Sequence, residues 1–194
     1  MRAFTIAELL IVIGIIAIFA GVIVFSPTRG QETYKLLNTS EEIEAVLRRA
    51  QGLSLAVKDF NGTPPGGGWG VHFDKNENCY IIFADHRPPG SPNAAYDASG
   101  LENSTPCDTA VVGPQTERFE HVFFPSSVEV SQLLDAGGNS VSELDIVYRP
   151  PLLTTFFNGI AAASGQTAQI VARSKTLNTT KTIMINSVGN VEVQ

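Results

Sequence analysis

Cysteine is scarce in this chain: Cys79 and Cys107 are the only two among 194 residues. That excludes a small disulfide-stapled scaffold, and the pair lacks the C-x-x-C spacing of a metal or redox centre. Basic charge is scarce too. Thirteen Lys and Arg stand against 19 Asp and Glu, a formal net charge of -6, whereas proteins that hold a phosphate backbone cluster Lys and Arg. No nucleic acid is expected as a partner. Catalytic and metal motifs are also missing. His72, His86 and His121 form no H-E-x-x-H or comparable pair, no serine sits in G-x-S-x-G or S-x-x-K, and Gly66 to Gly68 have neither a preceding strand nor a following Lys-Ser/Thr, so they make no phosphate loop. An enzyme has no positive support.

What the chain does have is apolar content: 43% hydrophobic residues and a mean hydropathy of +0.09 over 194 residues suit one domain with a real core plus an appendage. Much of it lies in "FTIAELLIVIGIIAIFAGVIVF", residues 4–25. As a helix, the uninterrupted run from Leu9 to Phe25 spans roughly 25 Å, and Phe4 to Ala7 extend it toward the roughly 30 Å of a hydrocarbon core. Glu8 is the one charge in it. Three readings are open: a cleaved secretory signal, a plain membrane anchor, and a segment whose final destination is not lipid. Only Arg2 precedes the run, and Ala17-Ile18-Phe19-Ala20 misses the small-x-small spacing of a secretory cut. In a plain anchor Glu8 snorkels to the interface.

The word "FTIAELLIVIGIIAI" resembles the N-terminus of type IV pilins and type II secretion pseudopilins. The resemblance implies a leader, Met1 to Ala3, cut by a prepilin peptidase between Ala3 and Phe4, methylation of Phe4 as the new terminus, and Glu8 as the fifth mature residue. Two features depart from the family: the leader has only three residues, and Ala3 stands where a Gly is usual. The resemblance further implies that residues 4–25 cross the cytoplasmic membrane once and then bundle in a filament core. Glu8 would there meet the positive terminus of a neighbouring subunit. A misaligned subunit would leave both charges buried and unpaired, so the pair sets the stagger.

Ser26-Pro27 and Gly30 predict a kink. Beyond it, over residues 31–60, Leu36, Ile43, Val46, Leu47, Ala50, Leu53, Val57 and Phe60 recur at helical spacing, an amphipathic stripe suited to a sheet. Thr39 and Glu42 have capping-box spacing, but inside a continuous helix they would be exposed polar positions. The helix is expected to run from Phe4 to about Asp59 and to stop at "NGTPPGGGWG", residues 61–70. Residues 61–194 then read as a β-rich domain, with strands at 69–73, 79–84, 121–125, 128–131, 143–149, 168–173, 182–187 and 190–193. Val171 and Arg173, with Ile183 and Ile185, suggest antiparallel strands with one dry face, and "SVGNVEV" a terminal hairpin. The expected fold class is α+β and pilin-like: a long, kinked N-terminal helix packed on an antiparallel β-sheet domain. The long helix, the turn before "WGVHFD" and the closing "KTIMINSVGNVEV" resemble, more loosely, the GspH/FimT-type minor pseudopilins.

Residues 85–118, rich in Pro, Gly, Ser and Asn, form a long loop. Cys107 lies in it and Cys79 at a strand edge; they are either a bridge or two thiols, and the extracellular or periplasmic placement implied by the pilin resemblance favours the bridge. Asp74, Asn76 and Asn78 alternate as in the start of a calcium loop, with Asp85, Asp97 and Asp108 as further oxygen donors, although Cys79 replaces the required glycine and a hairpin turn explains "DKNEN" equally. No other cofactor is indicated. Arg48 and Arg49 either contact Glu41, Glu42 or Glu44 of a neighbouring subunit or form a solvated face. The resulting expectation is a non-enzymatic filament subunit, with other subunits, an assembly platform and an ATPase as partners. The alternatives are a membrane-anchored extracellular binding or adhesin module and a FimT-like DNA-uptake subunit.

Overall fold

The computed structural model describes residues 5–25, 27–86, 92–97 and 117–194. Helices α1 (Ile6–Phe25) and α2 (Pro27–Leu55) come first. Eleven strands follow among the described residues: β1 (Trp69–Asp74), β2 (Cys79–Ala84), β3 (Arg118–Phe123), β4 (Val128–Leu134), β5 (Ser140–Val141), β6 (Glu143–Arg149), β7 (Thr154–Phe157), β8 (Ile160–Ala161), β9 (Thr167–Ser174), β10 (Thr180–Asn186) and β11 (Val191–Val193). They form a six-stranded sheet in the order β3-β2-β1-β6-β7-β8 and a five-stranded sheet in the order β11-β10-β9-β4-β5. The pairings are antiparallel.

This corrects the α+β expectation of one kinked helix laid on one sheet. Among the described residues the chain is mostly β, with two sheets, and its helical part is two helices. Every described side chain of α1 from Ile6 to Ala20 is exposed, so α1 packs on neither sheet. The physical reason is its composition: a helix apolar on all sides has no stripe to commit to a sheet. Strands β5, β7 and β8 were hidden because they are two to four residues long and lie beside Gly137-Gly138, the Pro150-Pro151 pair and Asn158-Gly159; the division into two sheets was hidden because local alternation does not show which strands pair.

The stripe belongs to α2. Leu36, Ile43, Val46, Leu47 and Ala50 are buried in one core with Trp69, Val71, Phe73, Leu144 and Ile146 of the six-stranded sheet and Leu133, Ile170, Ile183 and Ile185 of the five-stranded one. Thr39 is buried with them rather than exposed, while Glu42 stays outside and accepts a hydrogen bond from Tyr80 Oη at 2.8 Å. On β9 the inward residues are Ala168, Ile170 and Ala172, so Val171 and Arg173 lie on the wetter face.

The helix ends four residues short of Asp59. Lys58 N–H donates to Leu53 O at 3.0 Å and Val57 N–H to Ser54 O at 3.1 Å. These are the two bonds of a Schellman cap, in which the left-handed residue is usually glycine. Here it is Val57, at φ 47° and half exposed. A β-branched residue there is strained, so Val57→Gly is expected to raise stability by about 0.5 to 1 kcal/mol despite the entropy glycine adds to the unfolded chain. Urea denaturation measures it.

Ser54 then fastens the helix end to the sheet. Its Oγ donates to Tyr148 O and accepts from Trp69 N–H at 2.8 Å, both partners being buried. Ser54→Ala orphans a donor and an acceptor and is expected to cost about 2 kcal/mol, read as a lowered urea midpoint with an unchanged slope.

Candidate functional site

Two features stand apart from the ordinary core. The first is α1. Ile6 is 81% exposed, Ile18 69% and Phe19 66%, and Leu9, Leu10, Ile11, Val12 and Ile13 are exposed in succession. Five consecutive residues turn through more than a full helical circuit, so no face of the helix is polar. Apolar area left in water costs roughly 25 cal/mol per Å². Such a helix requires surroundings that are apolar on all sides. Among the described residues no helix is long and apolar enough to cross a membrane. The single-pass anchor expected from the sequence is therefore not supported by the structure.

Glu8 has a local partner that its charge alone did not announce. Thr5 N–H and Thr5 Oγ1 both approach Glu8 Oε2 at 3.3 Å, and Glu8 N–H donates to Thr5 Oγ1 at 3.3 Å. This is a reciprocal capping box, and its T-x-x-E spacing was legible in the sequence. It fixes the carboxylate at the N-terminal end of α1, where the helix dipole favours negative charge. Ala3 and Phe4, the proposed cleavage and methylation positions, lie outside the described residues.

The second feature is a polar cluster beside the long loop. All six residues of β1 are buried, because residues 92–97 cover the outer face of the six-stranded sheet. Ala94 and Tyr96 pack there with Cys79, Ile81, Phe83 and Val147. His72, on β1, lies beneath them at 4% exposure, with Nδ1 2.7 Å from Asp145 Oδ1 and its ring 4.9 Å from that of Tyr96. Asp85 and Glu117, both fully buried, hold the covering segment by its backbone. Asp85 Oδ2 accepts from Ala94 N–H at 2.7 Å and from Arg149 Nη2 at 3.4 Å. Glu117 Oε1 accepts from His86 N–H at 3.1 Å and Oε2 from Asp97 N–H at 2.9 Å. These carboxylates are structural tethers. Asp85 Oδ2 is thus engaged within the fold, while its buried Oδ1 has no hydrogen-bond partner among the described residues.

Burial pushes the Asp85 carboxyl above its ordinary value of 3.8, against the opposing pull of Ala94 N–H and Arg149. A raised folded-state value means that the protonated form is favoured on folding. The stability it contributes is present below about pH 4 and is lost as pH climbs through the raised value. Asp85→Asn keeps an acceptor for Ala94 and removes the charge. Its melting temperature is expected to lack this loss on going from pH 4 upward, a difference read by parallel thermal scans.

The remaining sequence candidates are scattered. Asp74 Oδ1 caps its own turn by accepting from Asn76 N–H at 2.8 Å, and Asn78 Nδ2 reaches Phe124 O at 3.0 Å. Their polar groups serve the β1–β2 turn and the β3–β4 link, and among the described residues no group of three or more His, Cys, Asp or Glu is placed to hold a metal ion. Cys79, buried at the start of β2, is disulfide-bonded; Cys107 lies outside the described residues, as does Asp108. The Arg48-Arg49 pair is occupied within the chain. Arg48 pairs with Glu44 and Arg49 with Glu120, each at 2.7 Å, and Arg49 lies over the Phe119 ring, 5.7 Å from its centroid. The chain matches no family model, no curated protein and no solved structure. That leaves α1 and its N-terminal cap as the features from which a function can be read.

Proposed function

We propose that the chain is a structural subunit, major or minor, of a filament of the type IV pilus or type II secretion pseudopilus kind. It is made as a prepilin, cut between Ala3 and Phe4 by a prepilin peptidase at the cytoplasmic membrane and methylated at Phe4. Copies then assemble outside the membrane, or in a periplasm, through α1. The β-rich body decorates the filament, and a separate platform and ATPase supply the work of extraction.

The observation that carries this reading is the exposure of α1 around its whole circumference. A stripe would suit one groove on one partner; an apolar cylinder suits a bundle of similar helices. In this reading Glu8, at the start of that cylinder and capped by Thr5, would meet the positive terminus of a neighbour. Intact mass of the native protein tests it. Loss of Met1 to Ala3 with gain of one methyl is expected; an unprocessed chain, or one cut after the apolar run, contradicts it.

A further inference from the structure

Four N-x-[ST] triplets occur in the chain, beginning at Asn38, Asn61, Asn103 and Asn178. Such a triplet accepts an N-linked sugar when an exported protein displays it on its surface. The four are not equivalent. Asn103 lies outside the described residues. Asn38 lies within α2, and the hydroxyl that completes its triplet is spent: Ser40 is fully buried and its Oγ donates to Leu37 O at 2.7 Å. Asn178 is exposed on the β9–β10 turn, but the neighbouring Leu177 and Thr179 line a cleft shared with Arg29 and Thr33. That cleft is at the α1-proximal end of α2, where the proposed assembly would crowd it.

Asn61 is the least obstructed: the Thr63 hydroxyl that completes its triplet is exposed and donates to Phe60 O only at a long 3.4 Å. It follows α2 at the opposite end from α1, in a two-residue turn with Asn61 at φ 52° and Gly62 at φ 84°. The turn is closed by Phe60 N–H to Thr63 O at 2.9 Å and Thr63 N–H to Phe60 O at 3.1 Å. Phe60 anchors it, buried with its ring 5.9 Å from Trp69 and 5.2 Å from His86. The tip faces water: Asp59, Asn61, Gly62 and Thr63 are all exposed, and open space surrounds Gly62. Only two backbone bonds must open for a transferase to take the triplet in an extended form. Asp59 adds a carboxylate two residues before the acceptor, an ionic handle that Asn38 and Asn178 lack, with Leu36 and Thr176 at that position.

We propose that Asn61 is an N-glycosylation site. The donor class is a lipid-pyrophosphate-linked oligosaccharide, used by a membrane-bound transferase on the outer side of the membrane. The Asn61 carboxamide nitrogen bonds to the anomeric carbon and loses a proton to the transferase. The bond from that carbon to the pyrophosphate oxygen breaks, and the lipid pyrophosphate leaves with the electron pair. The inference rests on the export that the filament reading supplies.

Peptide mass mapping of the native protein from the cells that make it, alongside Thr63→Ala and Thr63→Ser expressed in those cells, tests it. The expected result is an oligosaccharide on the Asn61 peptide in the wild type and in Thr63→Ser, its complete loss in Thr63→Ala, and a bare Asn178. A bare Asn61, or one merely converted to Asp, overturns the proposal, as does sugar on Asn178 alone. The N-terminal peptide of the same digest separates the two ideas. Methylated Phe4 with bare Asn61 sinks only the glycan, whereas retained Met1 to Ala3 with glycosylated Asn61 sinks only the filament reading.

Discussion

Glu8→Ala is expected to reduce incorporation into filaments at least about 100-fold, the factor that follows from roughly 3 kcal/mol per subunit for a buried charge left without its partner. In a bundle of α1 helices the dielectric falls and the carboxylate and a neighbour's terminal ammonium attract strongly. Removing the carboxylate strands the ammonium. The variant also loses the capping box with Thr5, a local cost of about 1 kcal/mol confined to the start of α1. The body should therefore unfold at an unchanged urea midpoint. Glu8→Gln separates the two contributions, because the amide oxygen can still accept from Thr5 while the charge is gone. Shear-released filaments quantified by immunoblot should show both variants depleted. Normal incorporation of Glu8→Gln would assign the residue to capping alone.

Gly68→Ala should be the most destabilising single methyl in the body, by about 3 to 4 kcal/mol. Gly68 sits at φ 93°, and a Cβ there would lie 2.0 Å from Tyr148 O and 3.1 Å from Arg149 Cα. Both obstacles are backbone of β6, so no side chain can swing aside. Tyr148 O is also the acceptor that Ser54 uses to tie α2 to the sheet. The chain can relieve the clash only by separating β6 from the segment entering β1. Gly66→Ala, two residues earlier, meets only Pro92 Cγ at 3.7 Å and should stay within about 0.5 kcal/mol of wild type. Urea midpoints of the two variants measure the contrast.

These glycines illustrate what the sequence displayed and what it hid. "NGTPPGGGWG" announced the end of the helix, but not that Gly68 passes against another strand far along the chain. The inward stripe of α2 was legible because helical spacing sorts residues by face. Its true end was not, since Val57 occupies the left-handed position where a glycine would have marked the stop. Strands β1, β2, β6, β9 and β10 were visible in their apolar runs, and β7 was masked by the prolines before it. The burial of His72 was invisible, because local alternation cannot show that residues 92–97 fold over the outer face of the sheet. At the candidate site, the apolar run and Glu8 were plain. The Thr5 cap was equally present in the spacing but stands beside a more conspicuous charge.

In the proposed filament, α1 would leave water by packing against other copies of itself. A cysteine introduced at Ile13, a position exposed in the isolated chain, tests this most directly in assembled filaments. Ile13→Cys should be protected from a water-soluble maleimide in intact filaments and should become labelled once the filaments are dissociated in detergent. Free labelling of the introduced thiol in intact filaments would contradict packing through α1.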